Sequence, residues 1–194
     1  MNNLHRTEFE RDSCGFGLVA QLDDVPDHQV LCDALDALRR LTHRGAVAPD
    51  GKTGDGCGLL LKLPREYLAK QADKAGIKLA ERFSVGMIFL DTDPDRAAEQ
   101  RRLLERHLVS QDLEVAGWRV VPVNPDACGD RARDTQPRIE QVFVNAAGHM
   151  DQTSYQRALY LARRLCEVEA GTETTLYIAS LSAETMVYKG LLLP

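Results

Sequence analysis

The stretch LYIASL (residues 176–181), SAE (182–184) and TMVYKGL (185–191) decides how this chain is read. Leu176–Leu181 and Thr185–Tyr188 are rich in β-branched and aromatic residues. Only Ser182, Ala183 and Glu184 separate them, so the spacing predicts two strands joined as a hairpin. A hairpin joins antiparallel strands, whereas a parallel pair needs a crossover of a dozen residues or more. Working outward, Ile139–Val144 and Phe83–Leu90 (FSVGMIFL) read as strands, the second a buried one. Trp118–Val123 reads as another, and Phe16–Leu22 (FGLVAQL) as an apolar strand near the start.

The helical periods fall in separate blocks. DHQVLCDALDALRRL (residues 27–41) places Val30, Leu31, Ala34, Leu35, Leu38 and Leu41 on one face. Pro64 opens a helix to Ala75 with Gly76 as its stop, and Asp93-Pro94 opens one to about Ser110. Thr153-x-x-Gln156 has the form of a capping box for a helix ending near Glu169. The segments around Asn124-Pro125 and Asp130–Pro137 are turn-rich. Strands joined by short turns, with helices in blocks, predict an α+β layered fold in one continuous domain.

The 194 residues are enough for a core without a disulfide or metal staple. The net charge of −5 argues against a nucleic-acid or anionic-membrane surface, both of which need excess positive charge. Residues 1–13 (MNNLHRTEFERDS) carry both signs of charge and no apolar run, unlike a secretory signal. Cys14, Cys32, Cys57, Cys128 and Cys166 are odd in number and include no close pair to clip zinc or an iron–sulfur cluster. Free thiols fit a reducing compartment, so the expectation is a cytoplasmic protein with no metal site and no membrane span.

Three segments carry candidate chemistry. In Asp12-Ser13-Cys14-Gly15-Phe16-Gly17, a thiol precedes two glycines that admit a close neighbour. A cysteine beside an apolar strand is equally the pattern of a small buried hydrophobe, and no histidine is placed by sequence to act as its base. In Thr42-His43-Arg44-Gly45-Ala46, Arg44 offers a planar fork suited to a carboxylate, while His43 and Arg44 also suit a helix C-terminus. The segment Asp50–Gly58 (DGKTGDGCG) suggests a phosphate loop but fails the test. Gly45 is one residue too far from Gly51, a helix precedes the segment and a strand follows it. Its glycines imply a loop from Gly45 to Gly58 packed close to something. Cys57 has only Lys52 as a cationic neighbour and ranks below Cys14 as a reactive thiol.

In this order, Cys-Gly-Phe-Gly, Leu-Thr-His-Arg-Gly-Ala, Asp-Gly-Lys-Thr-Gly-Asp-Gly and Val-Tyr-Lys-Gly-Leu (187–191) resemble one family. It is the N-terminal class II glutamine amidotransferase (glutaminase) domain of the glutamate synthase large subunit. The resemblance implies an N-terminal nucleophile hydrolase fold, an αββα four-layer sandwich. It implies a pro-segment, residues 1–13, whose removal makes Cys14 the first residue of a domain running over 14–194. The catalytic residue implied is Cys14, with its own α-amine as base, and the substrate-binding residue is Arg44 on the α-carboxylate of L-glutamine. The family's oxyanion Asn-Gly pair and an Asp that reads the substrate amine lie beyond the Tyr-Lys-Gly motif, so the expectation is a C-terminally incomplete domain. FMN and an iron–sulfur cluster are implied for the synthase region of a parent enzyme, with no cofactor in this chain. The implied partners are the remainder of that large subunit and an NAD(P)H-oxidising small subunit. The alternatives are a non-catalytic fragment or regulatory module that keeps the fold, and another class II amidotransferase.

Overall fold

A computed structural model describes residues 15–23 and 25–192. Cys14 and the segment 1–13 lie outside the described residues. The elements follow the order α1 (His28–Arg39), β1 (Thr53–Lys62), α2 (Arg65–Lys74), β2 (Phe83–Leu90), α3 (Pro94–Val109), β3 (Glu114–Val120), α4 (Asp130–Asp134), β4 (Arg138–Asn145), α5 (Gln152–Ala170), β5 (Tyr177–Ser182) and β6 (Thr185–Leu192). Four strands form one antiparallel sheet in the order β3-β4-β2-β5, and β1 pairs with β6 in a second.

β2 lies between β4 and β5, with Phe83 opposite Asn145 and Leu90 opposite Arg138. Both of its faces are covered, which is why FSVGMIFL does not alternate and carries a single polar side chain, Ser84. On one face Ile88, Leu90, Val142 and Val144 pack beneath α3 and α5 with Leu104, Leu108, Tyr155 and Leu159. On the other, Val85, Met87 and Phe143 meet Leu68 and Ala72 of α2 and Met186 of β6. α1 lies outside β1 and presents a half-buried face. The layers therefore run α, β, β, α, as the family resemblance implies. The Tyr155 hydroxyl reaches through the first core, donating to the Val144 carbonyl (2.7 Å) and sitting 2.8 Å from Ser84 Oγ. Burial pushes this phenol up to about 12, so it stays protonated and able to donate at any ordinary pH. Glu140, fully buried on β4, is matched by Arg101 of α3 and by Arg138, and the Arg101 guanidinium also lies over the Trp118 ring. Leu159 is completely buried at the α5–sheet contact. Leu159→Ala should cost about 3 kcal/mol, read as a lower denaturant midpoint with an unchanged slope.

The structure corrects the sequence reading in five places. Strands 177–182 and 185–192 are joined by a short turn, but each pairs in a different sheet, so the connection is a corner between layers rather than a two-stranded hairpin. Side-chain hydroxyls stand in for the missing ladder: Ser182 Oγ accepts from the N–H groups of Glu184 and Thr185, and Ser180 Oγ from Val187. Residues 16–22 form no strand, and Phe16, Leu18 and Leu22 are exposed. No described strand lies alongside to take their backbone N–H and C=O groups, and apolar content alone does not make a ladder. The Gly-rich segment is half strand, because β1 begins at Thr53. The third strand sits earlier, at Glu114–Val120, with an irregular register between Val115 and Gly117. Finally, Asp151 rather than Thr153 caps α5, accepting from the Ser154 N–H at 2.7 Å, which also lowers the Asp151 carboxyl below its usual range.

Candidate functional site

α1 ends at Arg39, and a single 3-10 turn over Thr42–Arg44 carries the chain out of it. His43 Nδ1 lies 3.1 Å from the Arg40 carbonyl, so this side chain closes the helix end and serves no visible chemistry. Arg44 is exposed, and among the described residues no carboxylate stands within ion-pair distance of its guanidinium. Gly15 lies against it: a Cβ placed on Gly15 would stand 3.1 Å from Arg44 Cγ and 3.5 Å from Nε. The residue that follows Cys14 in the chain is thus a direct neighbour of the arginine singled out from sequence.

Residues 46–55 then fold back on themselves. The Ala48 N–H donates to the Thr53 carbonyl (2.8 Å), the Ala46 N–H to Asp55 Oδ2 (2.8 Å) and the Asp55 N–H to the Ala46 carbonyl (3.3 Å). At the tip the Gly51 N–H closes on the Ala48 carbonyl with Gly51 at φ 70°, a left-handed angle that glycine adopts without strain. Ala46–Ala48, which follow directly from T-H-R-G-A, and Thr53–Asp55 of D-G-K-T-G-D-G are the two arms of one small hairpin. The fourth segment joins them through β6, where Gly190 stands opposite Cys57, Lys189 opposite Gly58 and Tyr188 opposite Leu59. The glycines of β1 answer to this partner. A Cβ on Gly58 would fall 2.9 Å from the Tyr188 carbonyl oxygen, and one on Gly56 3.2 Å from that of Gly190. The close packing that these glycines imply is the approach of the β6 backbone, at the start of a strand rather than in a loop.

The tip of the hairpin is tied to a distant turn. Asp50 Oδ1 accepts from the N–H groups of Lys52 (3.0 Å) and Thr53 (2.7 Å), and Oδ2 accepts from the Thr53 hydroxyl. These donors, the hydroxyl first, hold the Asp50 carboxyl well below the usual carboxylate range, and the Arg131 N–H adds to them. Thr53 Oγ1 in turn takes the Ala132 N–H at 3.4 Å. Buried Gly129 fits beneath: any Cβ there would lie 2.3 Å from Thr53 Oγ1 and 2.4 Å from Asp50 Oδ2. Asp50, Thr53 and Gly129 were not among the sequence candidates. The Pro-Asp-Gly-Lys-Thr run announces a side-chain-capped turn, but nothing local marks Gly129 as its seat. Cys57 is half-buried, and its thiol is pushed up by that burial, which disfavours the reactive thiolate. Among the described residues no three His, Cys, Asp or Glu side chains converge as metal ligands, and no helix is long and apolar enough to cross a membrane.

Residues 14–194 match the family described as glutamine amidotransferases class-II. Over 195 residues the chain is 40% identical to ferredoxin-dependent glutamate synthase 1, chloroplastic/mitochondrial, of Arabidopsis thaliana, covering 98% of this chain and 12% of that protein. It is 38% identical to the glutamate synthase (NADPH) large chain of Bacillus subtilis, over 98% of this chain and 13% of the relative. The corresponding large chain of Azospirillum brasilense is 34% identical, again over 98% of this chain and 13% of its own length. The chain therefore spans about an eighth of the length of the curated relatives it matches.

Proposed function

The chain belongs to the class-II glutamine amidotransferases, of the glutamate synthase large-chain type, and on that premise we propose that it hydrolyses L-glutamine through Cys14. Removal of residues 1–13 frees the α-amino group of Cys14, whose ordinary pKa near 8 leaves a neutral fraction to take the thiol proton. The thiolate attacks the side-chain amide carbon, and the collapsing intermediate expels ammonia with the proton the amine has collected. A γ-glutamyl thioester remains on Cys14. Water, deprotonated by the same amine, adds to the thioester carbon and releases glutamate and the thiol. Arg44 holds the substrate α-carboxylate through two parallel N–H donors.

The observation that carries this reading is the seat of Gly15 on Arg44, which sets the residue after the nucleophile beside a guanidinium that has no ion-pair partner among the described residues. A glutamine bound by its carboxylate at Arg44 reaches back toward Cys14 with its amide. In the parent enzyme the ammonia goes to 2-oxoglutarate, with FMN and an iron–sulfur cluster in a synthase region and an NAD(P)H-oxidising subunit as electron source, in the cytoplasm or its organellar equivalent. The protein as its gene encodes it should release glutamate and ammonia in equal amounts from L-glutamine, and its intact mass should show loss of residues 1–13. A protein that keeps Met1–Ser13 and still turns over glutamine at full rate would rule out the α-amine as base. A protein that has lost the segment and leaves glutamine untouched would make the domain a non-catalytic module.

A further inference from the structure

We propose that Asp50 is a positioning residue for glutamine binding, holding Arg44 in place by locking the 46–55 hairpin onto the turn at Gly129. This rests on the reading of Arg44 as the carboxylate-binding group, and it concerns residues that touch no substrate themselves.

The hairpin needs such a lock. Its residues 46, 47, 51, 52 and 55 are exposed, and only Thr53 and Gly54 are buried. An exposed arm held by a few backbone bonds frays readily, and Arg44 stands just before its first rung. The Asp50 carboxylate removes that freedom from the far end. It gathers the Lys52 and Thr53 N–H groups and the Thr53 hydroxyl, and through Thr53 it fixes the strand whose carbonyl receives Ala48. The anchor is external to the hairpin, because Ala132 donates to Thr53 Oγ1 and Gly129 leaves no room for a Cβ between the two segments. The Ala132–Thr53 contact joins residues nearly eighty apart in sequence, and from Thr53 the strand runs to Asp55, which holds the N–H of Ala46, two residues past Arg44. A shift of about 1 Å in a binding group costs as much as 10²-fold in a well-formed site, so a slack hairpin is felt as weaker glutamine binding.

The test compares Asp50→Ala and Asp50→Asn with the unaltered protein, and repeats both in an Arg44→Lys background. Asp50→Ala should raise KM for glutamine about tenfold while kcat falls less than about threefold, since the thiol and amine of Cys14 are untouched. Asp50→Asn keeps an acceptor oxygen and should restore part of the loss. In the Arg44→Lys background the Asp50→Ala effect on KM should shrink to less than about threefold, because two changes acting through one group are not additive. Alkylation of Cys14 by iodoacetamide, which needs no carboxylate contact, should proceed at the unaltered rate. Should Asp50→Ala fail to fold, Asp50→Asn with and without Arg44→Lys gives the same comparison. Equal KM in Asp50→Ala and the unaltered protein, or a full additive effect with Arg44→Lys, overturns the positioning role and leaves the glutaminase reading standing. An unaltered protein that does not hydrolyse glutamine overturns both.

Discussion

Cys14→Ala should lose glutamine hydrolysis by on the order of 10⁴-fold or more, measured as ammonia release at saturating glutamine. The size follows from what the substitution removes. Without sulfur no thioester forms, so the α-amine has no thiol to activate and the two-step path collapses to direct attack by water on an amide. Every other group in the account orients the substrate and none supplies a nucleophile. KM should move little, because the Arg44 contact does not involve the thiol. Cys57→Ala offers the contrast within one protein. Burial raises the Cys57 thiol, and the residue sits in a strand opposite Gly190 rather than beside Arg44, so this variant should keep its turnover. Equal losses in the two variants would mean that the nucleophile is misassigned.

Arg44→Ala should raise KM for glutamine by on the order of 100-fold with a smaller change in kcat. Two charge-assisted hydrogen bonds to a carboxylate are lost together, each worth about 1.5–3 kcal/mol net of water at a protected site and less at an exposed one. Arg44→Lys should recover only part, since an ammonium supplies charge without the fork. The specific signature is the substrate's other end. Glutamine whose α-carboxyl is converted to the amide should be a poor substrate for the unaltered protein and no worse for Arg44→Ala, so the preference disappears in the variant. If Arg44→Ala kept its preference for the free acid, another cation would be reading the carboxylate.

The sequence made local elements legible where one signal sufficed. Phe83–Leu90 was bounded to the residue by its uncharged, largely apolar run, and α3 by Asp93-Pro94 at its start, where Asp93 accepts from the N–H groups of Asp95 and Arg96. The failures came where a distant partner decides. Whether 177–182 and 185–192 pair with each other or with β2 and β1 depends on which sheet lies alongside, and Ser180 and Ser182 are what let them separate. The glycines of 54–58 read as a loop because their reason, the approach of the β6 backbone, lies more than 130 residues away. The same holds for the site. Arg44 and Asp50 were both visible inside motifs, whereas the seat of Asp50 and Thr53 on Gly129 was not, because no local pattern joins the two segments.

The central claim is that a thiol at residue 14, made N-terminal, attacks glutamine held at Arg44. The most direct measurement treats the protein with a glutamine-analogue electrophile such as a diazoketone, digests it and maps the adduct by mass spectrometry. One adduct is expected, on a peptide whose first residue is Cys14, with glutamine protecting and Arg44→Ala slowing its formation. An adduct on Cys57 or Cys128, or on a Cys14 still preceded by Ser13, would contradict it.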